Sequence, residues 1–128
     1  MKSIDKIGFL LFGLVFWLVG TGWYRVRGSM VFEATGLRYW INFVLTPVLS
    51  AVVCLLLLKG RRVPAAEWAA ASLLIALPGM FGEALILSRF GTFMPAMQPA
   101  TAGKYGALLF ASYGLFLLIA ELVTLRAA

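Results

Sequence analysis

The stretch WAAASLLIALPGMFGEALIL, Trp68 to Leu87, carries a single ionisable residue, Glu83, in a run long enough to cross a bilayer as one helix. Pro78-Gly79 at its centre would break a soluble helix. In lipid such a break is tolerated, because neighbouring helices, hydroxyl side chains or water satisfy the freed carbonyl. Three comparable runs flank it: Ile7 to about Tyr24, Tyr39 to Leu58, and about Tyr105 to Leu125. Each approaches the roughly 20 residues a span needs. The sequence therefore predicts an all-α integral membrane four-helix bundle, residues 1–128 forming one domain with spans at about 7–24, 39–58, 68–87 and 105–125.

Composition agrees. In 128 residues, 62% are hydrophobic and only 11 Lys and Arg face 5 Asp and Glu, too little polarity to cover a soluble domain. The formal charge of +6 does not point to nucleic acid, since the basic residues sit at the ends of the apolar runs and form no aromatic-interleaved stripe. The lone Cys54 cannot close an internal disulfide, and histidine is absent. Neither a Ser-His nor a Cys-His nucleophile can be assembled, so an enzyme is not expected. No metal or other cofactor is expected either, and a bound lipid is compatible with the composition.

Lys2 and Lys6 precede the first run as they would in a secretory signal, but the run closes on Gly20-Thr21-Gly22-Trp23-Tyr24-Arg25 without an evident cleavage site. It reads as a retained helix with an interfacial aromatic pair. The basic turn Lys59-Gly60-Arg61-Arg62 is the clearest positive-inside signal and predicts both termini in the cytoplasm. The bias is slight: Lys2, Lys6, Lys59, Arg61, Arg62 and Arg126 inside, Arg25, Arg27, Arg38, Arg89 and Lys104 outside. The first loop, Val26 to Leu37, is expected to lie on the membrane surface. The third, Ser88 to Lys104, with Phe90, Phe93, Met94, Pro95, Met97 and Pro99, is expected to cap the helix ends at the interface.

Within the spans, Arg38, Asn42, Thr46 and Ser50 recur every four positions and so share one face of the second helix, with Pro47 beside them. Such a face should turn away from lipid. Glu83 falls in the same outer half, where Arg25, Arg27, Arg38 and Arg89 are available, and pairing with one of them is expected. Together these residues outline an outward-facing polar pocket of Arg38, Asn42, Thr46 and Glu83, rimmed by Arg25, Arg27 and Arg89, suited to an anion or a lipid head group. The plainer reading is that the same polar contacts hold helices together, at about 0.6 kcal/mol each. Gly103, Ala107, Ala111 and Gly114 line one side of the fourth helix and are expected to form a helix-packing face. Trp17, Trp40 and Trp68 read as interface anchors or packing groups.

Leu77-Pro78-Gly79-Met80-Phe81-Gly82-Glu83, followed by Phe90, Phe93, Met94, Pro95 and then Tyr113-Gly114-Leu115, resembles a small bacterial family that is itself a domain of unknown function. The resemblance implies a four-span protein of the bacterial inner membrane with a Pro-Gly-Met element and an acid one turn later, more often Asp than the Glu found here. It implies no activity. Size also resembles the small multidrug resistance transporters, which place a carboxylate in the first helix, but Ile7 to Trp23 contains no acid. Three roles follow: a structural or accessory membrane subunit first, then a small transporter or lipid- or anion-binding protein. A lipid-directed enzyme with Glu83 as general base comes last. The expected partners are the bilayer and either further copies of the chain or a larger membrane complex.

Overall fold

Long apolar runs with at most one carboxyl each leave the backbone one way to satisfy its hydrogen bonds in lipid, and the chain takes it. The computed structural model describes residues 2–33 and 36–127. Helix α1 spans Ser3–Phe32, α2 Leu37–Gly60, α3 Trp68–Ser88 and α5 Ala102–Ala127, with a single-turn α4 at Phe90–Phe93. Short 3₁₀ turns at Ala65–Glu67 and Pro99–Thr101 lead into α3 and α5, and no strand occurs among the described residues. The four long helices have the length and hydropathy of membrane spans, which makes this a multi-pass membrane protein. Leu11, Val19, Leu45, Leu56, Phe81, Phe110 and Leu118 are exposed around the bundle, an apolar girdle suited to lipid.

Spatial order differs from chain order. α1 packs on α3, α3 on α5, and α5 on α2, whereas the consecutive helices α1 and α2 touch little. The α1–α3 seam is made by absent side chains. A Cβ at Gly13 would strike the carbonyl oxygen of Ile75, and one at Gly82 would strike the Trp17 ring. Gly79 leaves room for the Tyr113 hydroxyl from α5 in the same way. Two apolar clusters divide the interior. One, near the α2–α3 turn, gathers Phe9, Leu58, Val63, Ala71, Ile75 and Phe116; the other, near α4, gathers Phe32, Phe90, Met94, Met97, Tyr105 and Leu108.

The bundle end with the α2–α3 turn also holds both ends of the chain. Arg61 pairs with Asp5 at 2.6 Å, and Trp68 Nε1 donates to the Val63 carbonyl at 2.9 Å. Thr124 Oγ1 accepts from the Ala69 amide and donates to the Ala65 carbonyl, so α5 supplies the cap that α3 lacks locally.

Two expectations need correction. The first connection is mostly not a surface loop: α1 runs on past Tyr24 to Phe32, because nothing from Val26 to Phe32 breaks a helix and Gly28 is covered by Met97. The backbone turns at Gly36, whose φ of 73° suits glycine; residues 34 and 35 of that loop lie outside the described residues. At 30 residues α1 is about 45 Å long, well beyond a hydrocarbon core of roughly 30 Å. Its last turns carry the α3–α5 connection, which folds back over the helix ends as expected of a cap. Glu33 Oε1 holds it by accepting from the Gln98 amide at 2.6 Å and the Thr101 hydroxyl at 3.2 Å.

The second correction concerns the small-residue face of α5. Gly103, Ala107 and Gly114 are exposed, Ala111 is half-buried, and a Cβ at Gly103 or Gly114 would meet nothing within 4 Å. The face is not a seam of this bundle; the approaches that need glycine are on α1 and α3. Gly114→Leu is therefore expected to shift unfolding in bicelles by no more than about 0.5 kcal/mol. A large loss, accompanied by a change in oligomeric mass, would show that another helix covers this face.

Candidate functional site

Pro78 and the glycines after it decide what stands beside Glu83. With no side chain at Gly82, the Trp17 indole from α1 lies against α3 and its Nε1 donates to Glu83 Oε1 at 2.7 Å. Glu83 is only 6% exposed, so its carboxyl is removed from solvent and answered by a neutral donor. The other oxygen, Oε2, has no hydrogen-bond partner among the described residues. The Tyr105 hydroxyl and Thr21 Oγ1 are buried and unpartnered in the same sense. Tyr105 faces both Glu83 and Thr21 but meets hydrogen-bond geometry with neither.

These three groups share the wall of one cavity of about 110 Å³ between the helices. Trp17, Tyr24, Tyr105, Tyr113, Phe16 and Phe116 give it aromatic sides, and Thr46, Ser50 and Ser112 add hydroxyls. Among its described lining residues Glu83 is the sole carboxyl, and none is Lys or Arg. A buried acid among aromatic rings, with no basic residue, favours a cation or a hydrogen-bond donor over an anion. Among the described residues no group of three or more His, Cys, Asp and Glu gathers.

Of the residues singled out in the sequence, Thr46 and Glu83 line this cavity, Asn42 stands behind it bonded to Tyr24 and Thr46, and Arg38 takes no part. Tyr24 OH donates to Asn42 Oδ1 at 3.2 Å and stands 2.9 Å from Thr46 Oγ1, which itself donates to Asn42 Oδ1 at 3.1 Å. The predicted stripe on α2 thus faces α1. Arg38 is exposed beyond it, as are Arg25, Arg27 and Arg89, and none of the four lines the cavity. Arg27 reaches along its own helix to the Met30 sulfur at 3.6 Å. The expected arginine pair to Glu83 is not formed among the described residues. Glu83 lies about 7 Å inside the end of α3, and drawing a guanidinium to that depth costs far more than turning an indole N–H toward the carboxyl.

Sequence reasoning passed over Thr21 and Tyr105, gave Tyr113 no role in a site, read Tyr24 as half of an interfacial pair and Trp17 as an anchor or packing group, and linked neither to Glu83. A signal was present: two glycines on one side of a buried acid leave a hollow that a large side chain has to fill, and a tyrosine inside a span needs a partner for its hydroxyl.

A family model described as a family of unknown function, DUF5367, matches residues 30–126. The chain belongs to that family. No curated protein and no solved structure matches it. The DUF5367 stretch takes in α2 to α5 with Asn42, Thr46, Glu83, Tyr105 and Tyr113, while Trp17, Thr21 and Tyr24 precede it on α1. The DUF5367 match therefore carries the acid of the cavity, and the helix before it carries the donor that holds that acid.

Proposed function

We propose that this DUF5367 protein sits in the bacterial inner membrane with both chain ends in the cytoplasm, and binds a small ammonium-type head group in the cavity around Glu83. One observation carries the reading: a buried carboxyl with one oxygen anchored by Trp17 and the other without a partner among the described residues, in a hollow with aromatic walls. It replaces an anion site built on Arg38, whose side chain lies outside the cavity. The basic Lys59–Arg62 turn and the chain ends share one end of the bundle, which supports the orientation. Such binding suits a small transporter or a membrane receptor for amines.

The test uses decyltrimethylammonium with the protein in zwitterionic nanodiscs, empty nanodiscs serving as the partition control. Saturable binding is expected, about 10- to 100-fold weaker in Glu83→Gln, the loss of one charge-assisted contact. Arg38→Gln should bind as the unmodified protein does. Loss in Arg38→Gln with Glu83→Gln unchanged would return the site to the arginine and refute the reading.

A second reading, an accessory subunit of a membrane complex, is favoured by the bare face of Gly103, Ala107 and Gly114, where another helix can approach closely. Native mass spectrometry after gentle extraction distinguishes the two: a fixed stoichiometry with other proteins supports the subunit, a self-contained species carrying small molecules supports the cavity.

A further inference from the structure

We infer that the ligand is a single-chain amphiphile that enters sideways from the bilayer, between α1 and α2, with Tyr24, Asn42 and Thr46 as the latch on that entrance. The inference rests on the cavity reading above and adds the route and the form of the molecule.

Size gives the first step. An apolar cavity of about 150 Å³ holds one benzene ring, and drug-sized ligands need several hundred. At about 110 Å³ this cavity takes a head group of a few heavy atoms. Any longer part of the molecule has to leave through the wall.

The ends of the bundle do not offer that exit. The cavity lies between the two apolar clusters and takes walls from both: Cys54, Ile75 and Phe116 from one, Tyr24, Tyr105 and Leu108 from the other. Beyond it, Phe9, Leu58 and Val63 close the end with the α2–α3 turn. Phe32, Phe90, Met94 and Met97 close the opposite end, with the connecting segment tied down through Glu33. An amphiphile crossing either plug would have to displace well-packed side chains.

The α1–α2 side is different. These two helices touch little, although they are consecutive and each packs closely on another helix, α1 on α3 and α2 on α5. Gly20 of α1 and Thr46 and Ser50 of α2 line the cavity while only half-buried. Leu109, Ser112 and Tyr113 of α5 do so too, but α5 packs closely on both α2 and α3, which leaves the α1–α2 gap as the mouth. At Gly20 a Cβ would meet nothing within 4 Å. What crosses this gap is polar: the Tyr24 hydroxyl with Asn42 and Thr46. Hydrogen bonds of this kind in a bilayer contribute only about 0.6 kcal/mol each, so Asn42 and Thr46 of α2 part from Tyr24 at little cost. The Tyr24 ring stays packed against Phe32 and Tyr105, and the latch recloses around a chain that stays in the lipid. The ammonium head then reaches Glu83 while its alkyl tail remains among the exposed apolar side chains outside.

The test locks the entrance reversibly. Tyr24→Cys and Thr46→Cys are combined with Cys54→Ala in the full-length protein, bridged by a short bis-methanethiosulfonate, and released with reductant. Binding and release of decyltrimethylammonium and of tetramethylammonium are followed in nanodiscs, beside Tyr24→Phe, which removes the latch hydroxyl without a bridge. Exchange of decyltrimethylammonium is expected to be about tenfold slower in the bridged protein, to recover on reduction, and to be faster in Tyr24→Phe. Tetramethylammonium, which has the same head without a tail, should bind far more weakly. If bridged and reduced proteins exchange the long-chain probe at the same rate while Glu83→Gln still weakens binding, the sideways route is overturned and the cavity reading stands. Tetramethylammonium binding as tightly as the long-chain probe overturns the amphiphile. Absence of saturable binding in the unmodified protein refutes the cavity reading itself, and the route with it.

Discussion

The Gly13→Leu protein is expected to lose about 3 kcal/mol of stability or to fail to assemble, a loss at the upper end of what overpacking usually costs. The position touches backbone, not a flexible side chain. A Cβ there meets the carbonyl of Ile75, so relief requires α1 to move away from α3 along their whole contact. That displacement would also pull Trp17 from Glu83, leaving a buried carboxyl oxygen without its donor. Unfolding in bicelles by denaturing detergent, followed by circular dichroism, measures the effect. Gly8→Leu on the same helix is the control, since a Cβ at Gly8 has nothing within 4 Å and the change should stay within about 0.5 kcal/mol. Equal behaviour of the two variants would refute the seam.

Trp17→Ala is expected to cost at least as much, about 3–5 kcal/mol, for a different reason. The indole fills the space left by Gly82 and supplies the hydrogen bond to Glu83, so truncation opens a void and orphans an acid at once. Trp17→Phe separates the two contributions. It keeps most of the ring and removes the N–H, and should cost about 1–3 kcal/mol. Adding Glu83→Leu to Trp17→Phe should recover part of that loss, because the unpaired polar group is then gone. No recovery in the double variant would mean that the hydrogen bond contributes little to stability. The same unfolding titration reads all three.

The features legible in the sequence were those set by chemistry local to one helix. Span length, the period of Asn42, Thr46 and Ser50, and the acid after Pro78-Gly79 each follow from a single stretch of chain. Partner choice does not. The helices are apolar nearly all round, so no wet face shows which side meets which neighbour, and nothing in α1 announced that its mate is α3. Proximity along the chain and opposite charge therefore suggested an arginine for Glu83, where the fold supplies Trp17. The small residues misled for a related reason: Gly103 and Gly114 have the spacing of a packing seam, yet a glycine turned toward lipid shows the same period as one pressed against a backbone. Likewise Arg25 and Arg27 looked like the start of a loop, although charge alone does not end a helix that already reaches beyond the hydrocarbon.

The interleaved order of the helices bears on how the protein is made. As the chain leaves the ribosome, α1 and α2 are inserted first and have almost no interface to share. α1 finds its partner only when α3 arrives, and α2 waits for α5, the last to be synthesised. During that interval Glu83 has to enter the membrane before the groups contributed by α5 exist, and Trp17, its hydrogen-bond donor, is already there to receive it. A chain halted with α1 and α2 in the membrane would thus hold two helices with little to close upon, and the delay before α3 and α5 follow sets how long the half-built bundle is open to the bilayer and to its quality-control proteases.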